Sequence, residues 1–162
     1  MPSAVHVHLQ LRIVGDDGTV FTDCEILRLV KSHHQLEAVG LSIGESKLLQ
    51  KCLQQHIVTA QAAIFVNEHR CCPVCGRQLC RKGKYPIVFR TVFGNVALSS
   101  PRFYRCGCQP GNSRTFSPLT ELFTEHTAPE LLYLESRWAS LISFGMTAAL
   151  FRDVLPVADT TN

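Results

Sequence analysis

Apolar Val5, Val7, Leu9, Leu11 and Ile13 alternate with Ala4, His6, His8, Gln10 and Arg12, a period of two that predicts a strand with one buried face. Asp16-Asp17-Gly18-Thr19 supplies turn chemistry, and a less regular strand follows through Val20, Phe21, Cys24, Ile26, Leu27 and Leu29. The first element is therefore a β-hairpin. After Ser42 the period changes. Ser42 and Glu45 have the spacing of a capping box, and Leu49, Leu53, His56, Ile57, Ala60, Ala63 and Ile64 recur at helical spacing up to about Glu68. This predicts a long amphipathic helix of roughly seven turns. Its heptads are not sustained, which assigns the apolar face to an intramolecular core rather than to a dimer seam. Cys24 and Cys52 read as small buried hydrophobes.

Beyond a cysteine-rich turn, Lys84 to Val92 reads as a strand, Phe93-Gly94-Asn95 as a turn and Val96 to Ser99 as the return strand, interrupted by Pro101. Gln109 to Pro118 reads as loop. Thr127, with Glu130 three residues on, has the grammar of a helix start, and Leu131, Leu134, Trp138, Leu141 and Ile142 continue it. Ser143-Phe144-Gly145 breaks that helix, and Met146 to Leu155 forms a shorter one ending at Pro156. The pair is either the start of a helix-turn-helix or an αα-hairpin docked on a core. The fold class is thus α+β: an N-terminal β-hairpin, a long amphipathic helix, a ribbon-like β-hairpin and a C-terminal helical pair. The units divide as 1–68, 69–118 and 119–157, with a tail at 158–162.

Composition changes this picture little, and charge changes it more. The 162 residues are 46% hydrophobic and 18% charged, with a net charge of +3. Between positions 69 and 120, however, nine basic residues stand with no acidic one, giving +9. The remainder holds seven basic against thirteen acidic residues, giving −6. A basic segment of this kind points to a polyanion, with nucleic acid the first candidate. Arg77, Arg81, Lys82, Lys84, Arg90, Arg102 and Arg105 are the candidate phosphate contacts. Phe103 and Tyr104 lie among them, either to stack on bases or to fill a small core.

Six of the eight cysteines lie in the same segment. A Cys-Pro-x-Cys-Gly knuckle at Cys72 and Cys75 precedes the hairpin, and Cys-Gly-Cys at Cys106 and Cys108 follows it. Two thiol pairs at the ends of a hairpin match a zinc ribbon, with structural Zn²⁺ as the cofactor. Cys71, Cys80 and His69 compete for places in that ligand set. A redox Cys-x-x-Cys would sit at a helix N-terminus after a strand, and here the order is reversed. His6 and His8 share a strand face with no third ligand near, which makes them a solvated polar face.

No signal peptide is visible at the N-terminus, and the apolar stretch Trp138 to Phe151 is too short for a membrane helix. The expectation is a cytoplasmic protein with reduced thiols, contacting neither a membrane nor a small-molecule substrate.

Several blocks in order carry a resemblance: C-P-x-C-G, F-R-T-V-F-G-N-V, S-P-R-F-Y-R-C-G-C, F-S-P-L, T-A-P-E-L-L-Y-L-E-S-R-W-A-S-L-I-S-F-G-M-T and D-V-L-P-V. Together, from Glu45 to Val157, they resemble the N-terminal region of ISKra-type insertion-sequence transposases. The resemblance implies a bacterial mobile-element protein that cuts and joins DNA with a carboxylate-triad, RNase H-like domain and divalent metal. That domain would lie C-terminal to this region, so the chain would be truncated before it. The acids present are scattered over turns and helix starts, and none has the strand-helix-strand setting that two-metal chemistry requires.

The expected function is accordingly the DNA-binding and assembly region of a transposase, with no catalysis of its own. The alternative is a ribbon that dimerises with itself or docks on, and inhibits, full-length transposase. A thiol oxidoreductase is the third reading.

Overall fold

The computed structural model describes residues 4–32, 36–109 and 114–157. It is a mixed α+β fold, and among the described residues it holds two antiparallel sheets and four α-helices. The tail assigned to 158–162 lies outside the described residues.

The first sheet is the expected hairpin, β1 (Ala4–Val14) against β2 (Val20–Ser32). Its register slips once in the middle: Leu9 faces Leu27 while Gln10 faces Glu25, leaving Ile26 as the additional residue. A bulge reverses which side the following residues take. Thr22, Cys24 and Ile26 are the sheltered positions before it, and Leu27 and Leu29 the buried ones after it. That reversal is why β2 shows no clean alternation.

Helix α1 (Ile43–Glu68) starts at the expected capping box. The Glu45 amide donates to Ser42 Oγ at 3.2 Å, and the Ser42 amide donates to Glu45 Oε2 at 2.8 Å. Lys31, near the end of β2, donates to both Glu45 oxygens at 2.8 and 2.6 Å, tying the hairpin to the helix start. The buried face differs from the one expected. Ala60 is buried as expected, but Val58 and Ala62 are buried beside it, whereas Ile57 is 39% exposed and Ala63 is open to solvent. No single stripe runs the length of the helix because its two halves meet different partners. Glu45, Leu49 and His56 face the hairpin, while Val58, Ala62, Phe65 and Val66 pack on the second sheet.

That sheet has the order β3-β4-β5, with β3 spanning Arg81–Thr91, β4 Gly94–Tyr104 and β5 Thr115–Phe116. β3 begins three residues before the expected Lys84. The turn is Val92-Phe93, one residue earlier than read, because Thr91 pairs with Gly94. Gly94 takes φ 109°, and a Cβ there would meet the Pro156 carbonyl at 3.1 Å. Pro101 does not interrupt the strand. The Tyr104 amide donates toward β3, to the Cys80 carbonyl. Alternation then aims position 101 away from β3, so the absent N–H removes no β3–β4 bond. The stretch read as loop contains β5, and the helix α2 (Pro118–Leu122) follows it directly. Residues 110–113 of that stretch lie outside the described residues.

β4 runs between two cores. Val96 and Leu98 pack with Val58, Ala62, Ile87 and Leu119, under α1 and α2. On the opposite face Phe103 packs with Cys72 and Leu79. The largest core therefore draws on segments 1–68, 69–118 and 119–157 alike. A third cluster joins Val92, at the hairpin turn, to Leu131 and Phe151 of the helices α3 (Pro129–Ala139) and α4 (Phe144–Val154). Trp138 packs on the Phe151 ring at 4.5 Å.

The helical pair starts differently from the expectation in two places. The N-cap of α3 is Ala128, not Thr127. Thr127 is instead drawn against the sheet edge, where the Arg90 amide donates to the His126 carbonyl and the Ala128 amide to the Arg90 carbonyl, both at 2.8 Å. Pro129 then opens the helix. Ser143 caps α4 by accepting from the Met146 amide, so Phe144 and Gly145 lie inside the helix rather than breaking it.

Candidate metal centre

The knuckle follows from local chain geometry. Cys71 pairs with Gln78, and the Leu79 amide donates to the Arg70 carbonyl, forming two short arms. Between them the Cys72 amide donates to the Arg77 carbonyl, and the Gly76 amide to the Cys72 carbonyl, each at 2.8 Å. Gly76 closes the loop at φ 70°, a left-handed conformation suited to glycine. The second pair is held by Gln109, whose side-chain oxygen accepts from the Cys106 amide at 2.9 Å. The Arg105 amide donates to the Arg114 carbonyl just outside it.

β3 and β4 return the chain so that the two pairs meet. Cys72 Sγ lies 3.4 Å from Cys108 Sγ, and Cys75 Sγ lies 3.6 Å from Cys106 Sγ. All four sulfurs fall within 4.8 Å of one another. This cluster could hold a metal ion. Cys72 is the innermost of the four at 2% exposed, while Cys75 and Cys108 face solvent.

The thiols are already polarised toward one another. At Cys72, burial pushes the thiol up, but the Cys75 and Val74 amides and the neighbouring thiols outweigh it and bring it to about 7. The Cys108 amide and the Cys108 and Cys75 side chains lower Cys106. Cys108 is pushed up to about 12 by Cys106, Cys72 and Cys75, since it keeps the proton the others share. Four crowded sulfurs cannot all be thiolates without a cation between them.

The competing ligands lie elsewhere. Cys71 and Cys80 are exposed and outside the cluster. His69 is the C-cap of α1, with Nδ1 2.7 Å from the Phe65 carbonyl and its ring stacked on Phe65 at 4.1 Å. The Cys72–Cys75 loop follows the C-terminal end of α1 and precedes β3, so it does not open a helix. Cys24 and Cys52 are half-buried rather than buried, and Cys24 Sγ sits 3.8 Å from His56 Nδ1. On the first hairpin His6 is exposed, and His8 Nδ1 lies 2.6 Å from Glu25.

Of the seven candidate phosphate contacts, Arg77, Arg81, Lys82, Lys84, Arg90 and Arg102 are exposed. Arg105 is half-buried, with its guanidinium 5.2 Å from the Phe116 ring centroid and its Nε shielded without a hydrogen-bond partner. Arg90 stands at the far end of β3 from Arg81, roughly 30 Å away by strand rise, so these residues do not form one patch. Phe103 is 4% exposed and Tyr104 46%, so the two adjacent aromatics take opposite roles. Sequence reasoning missed the hydroxyl group cluster of Tyr85, Ser117 and Thr120 beside Arg102. No local signal marks it, because Tyr85 and Thr120 meet only through the fold.

Among the described residues no helix is long and apolar enough to cross a membrane. No protein-family model matches the chain, and no similar curated protein or solved structure was found.

Proposed function

We propose that the chain is the DNA-binding and assembly region of an insertion-sequence transposase of the ISKra type, folded around zinc at Cys72, Cys75, Cys106 and Cys108. The observation that carries this reading is the four-thiol cluster closing a segment with nine basic and no acidic residues. The ordered sequence blocks from Glu45 to Val157 supply the transposase assignment. Zinc suits the donor set: four thiolates at about 2.3 Å in a tetrahedron stand about 3.8 Å apart, and the closest sulfur pairs are at 3.4 and 3.6 Å. With four cysteine ligands the ion has no open position, so its contribution is to cross-link the ribbon rather than to activate water. Catalysis of strand cleavage would belong to a domain outside this region.

Binding to DNA should weaken steeply as salt rises, since each phosphate contact releases counterions. The test is fluorescence anisotropy over a salt series, with wild type and a Cys106→Ser/Cys108→Ser variant. Salt-insensitive binding that survives both substitutions would refute the ribbon-to-phosphate mechanism.

A second reading is a protein-interaction module that dimerises or docks on full-length transposase. It is favoured by the exposed apolar side chains of the C-terminal pair, Tyr133, Leu141, Phe144 and Met146. Salt-insensitive self-association without DNA affinity would support it in place of the first.

A further inference from the structure

Strict alternation along β4 puts Val96, Leu98, Ser100, Arg102 and Tyr104 on one face. α1 and α2 cover that face as far as Ser100, which is fully buried with Oγ 2.6 Å from Ser117 Oγ. Beyond Ser100 the cover ends. A polar cavity of about 360 Å³ opens there, lined by Tyr85, Arg102, Phe116, Ser117 and Thr120. Tyr85 and Thr120 present their hydroxyls 2.9 Å apart, and Arg102 Nη2 donates to Thr115 Oγ1 at 3.3 Å, which holds the guanidinium at the rim. A guanidinium carries five N–H donors, more than one hydroxyl can take up. One step further along the same face, Tyr104 exposes its ring, and Lys82 Nζ approaches the ring centroid to 5.9 Å. The adjacent Phe103 fills the core, so the Tyr104 ring is spare to the packing.

We infer that this face is a nucleotide subsite for single-stranded DNA. A phosphate enters the cavity of Arg102, Tyr85 and Thr120, and the attached base stacks on the Tyr104 ring, either on the face opposite Lys82 or by displacing the Lys82 ammonium that lies over it. An arginine flanked by hydroxyls is the donor chemistry that recognises a phosphate dianion or diester. An exposed aromatic ring accepts a base only when its face is free, which a stacked duplex does not provide. No acid occurs from positions 69 to 120, so the cavity-lining residues carry no carboxylate, and Glu121, next to Thr120 in α2, is the nearest in sequence. This inference rests on the DNA-binding reading and specifies the form of DNA and the residues.

The test uses the full metal-loaded chain and fluorescein-labelled oligothymidylate, compared with a duplex of the same strand at fixed salt. Single strand should bind more tightly than duplex. Tyr104→Ala should weaken single-strand binding by about ten-fold or more, while Tyr104→Phe stays near wild type. Arg102→Gln should weaken it and lower the salt slope by about one. Photo-crosslinking of an iodouridine-bearing strand to wild type, mapped by mass spectrometry, should mark Tyr104 without relying on a variant. If binding persists but neither Tyr104→Ala nor Arg102→Gln changes it, or crosslinks map only elsewhere, the subsite is wrong and DNA binding stands. If neither form of DNA binds, both readings fall.

Discussion

Cys72 Sγ lies 3.4 Å from Cys108 Sγ although 36 positions separate them, and the whole β3–β4 hairpin is the arm that brings them together. A metal at this cluster would thus lock the base of the hairpin, as a clip across a long loop. Chelation should expose the ribbon locally. In hydrogen exchange, the Leu79 and Tyr104 amides, which bond to Arg70 and Cys80, should lose protection when metal is removed. The Arg90 and Ala128 amides at the opposite end of β3 should keep theirs. Uniform loss across all four would mean that the metal holds the entire fold. Acid should weaken metal uptake, because protons compete with the ion for the thiolates.

Phe103 and Tyr104 offer a paired test of the two-sided strand. Phe103→Ala removes a ring packed on Cys72 and Leu79 and should cost about 3–5 kcal/mol. Tyr104→Ala should change stability by no more than about 0.5 kcal/mol. Urea unfolding of both variants checks this, and a large cost at Tyr104 would contradict the placement of its ring.

Glu45 links hairpin to helix, and its carboxyl is lowered from the ordinary 4.5 to about 2 by the Lys31 ammonium and the Ser42 amide and hydroxyl. A carboxylate with a depressed folded pKa contributes stability above its unfolded value. That contribution is fully present above about pH 4.5 and is lost as pH falls toward about 2. Glu45→Gln should therefore be less stable than wild type at neutral pH, with the difference shrinking through that window. Thermal melts between neutral pH and pH 2 would show it, and a pH-independent difference would assign the effect to the cap geometry alone.

Two glycines should respond in opposite directions. Gly94→Ala forces a side chain into φ 109° and within 3.1 Å of the Pro156 carbonyl, and should destabilise by about 1–3 kcal/mol. Gly145 lies in the first turn of α4 with open space around its Cα, so Gly145→Ala should stabilise by about 0.4–1 kcal/mol. Calorimetry of both settles whether position 145 is a helix residue or a breaker.

Some of the departures from the sequence reading share one cause. Thr127 has the chemistry of an N-cap, yet Arg90 takes its neighbours' backbone groups into the sheet edge. Pro101 carries a strand-breaking signal, yet the signal has no effect where the missing N–H would face away from β3. In each case a partner distant in the chain, invisible in a local window, sets the outcome. The buried face of α1 differs for the same reason, because Val58 and Ala62 are chosen by β4 and α2 rather than by a stripe along the helix.

The amino-acid sequence alone determined the α+β class, the first hairpin, the capping box of α1, the second hairpin and the four cysteines worth pairing. These rest on short-range rules: alternation, capping and turn chemistry act within a few residues. Only the tertiary structure decided which cysteines stand apart, which of two neighbouring aromatics is buried, and that Arg102 shares a cavity with Tyr85 and Thr120. Those outcomes depend on which face of β4 is covered at each step, and cover comes from α1, α2 and the knuckle, elements far away along the chain.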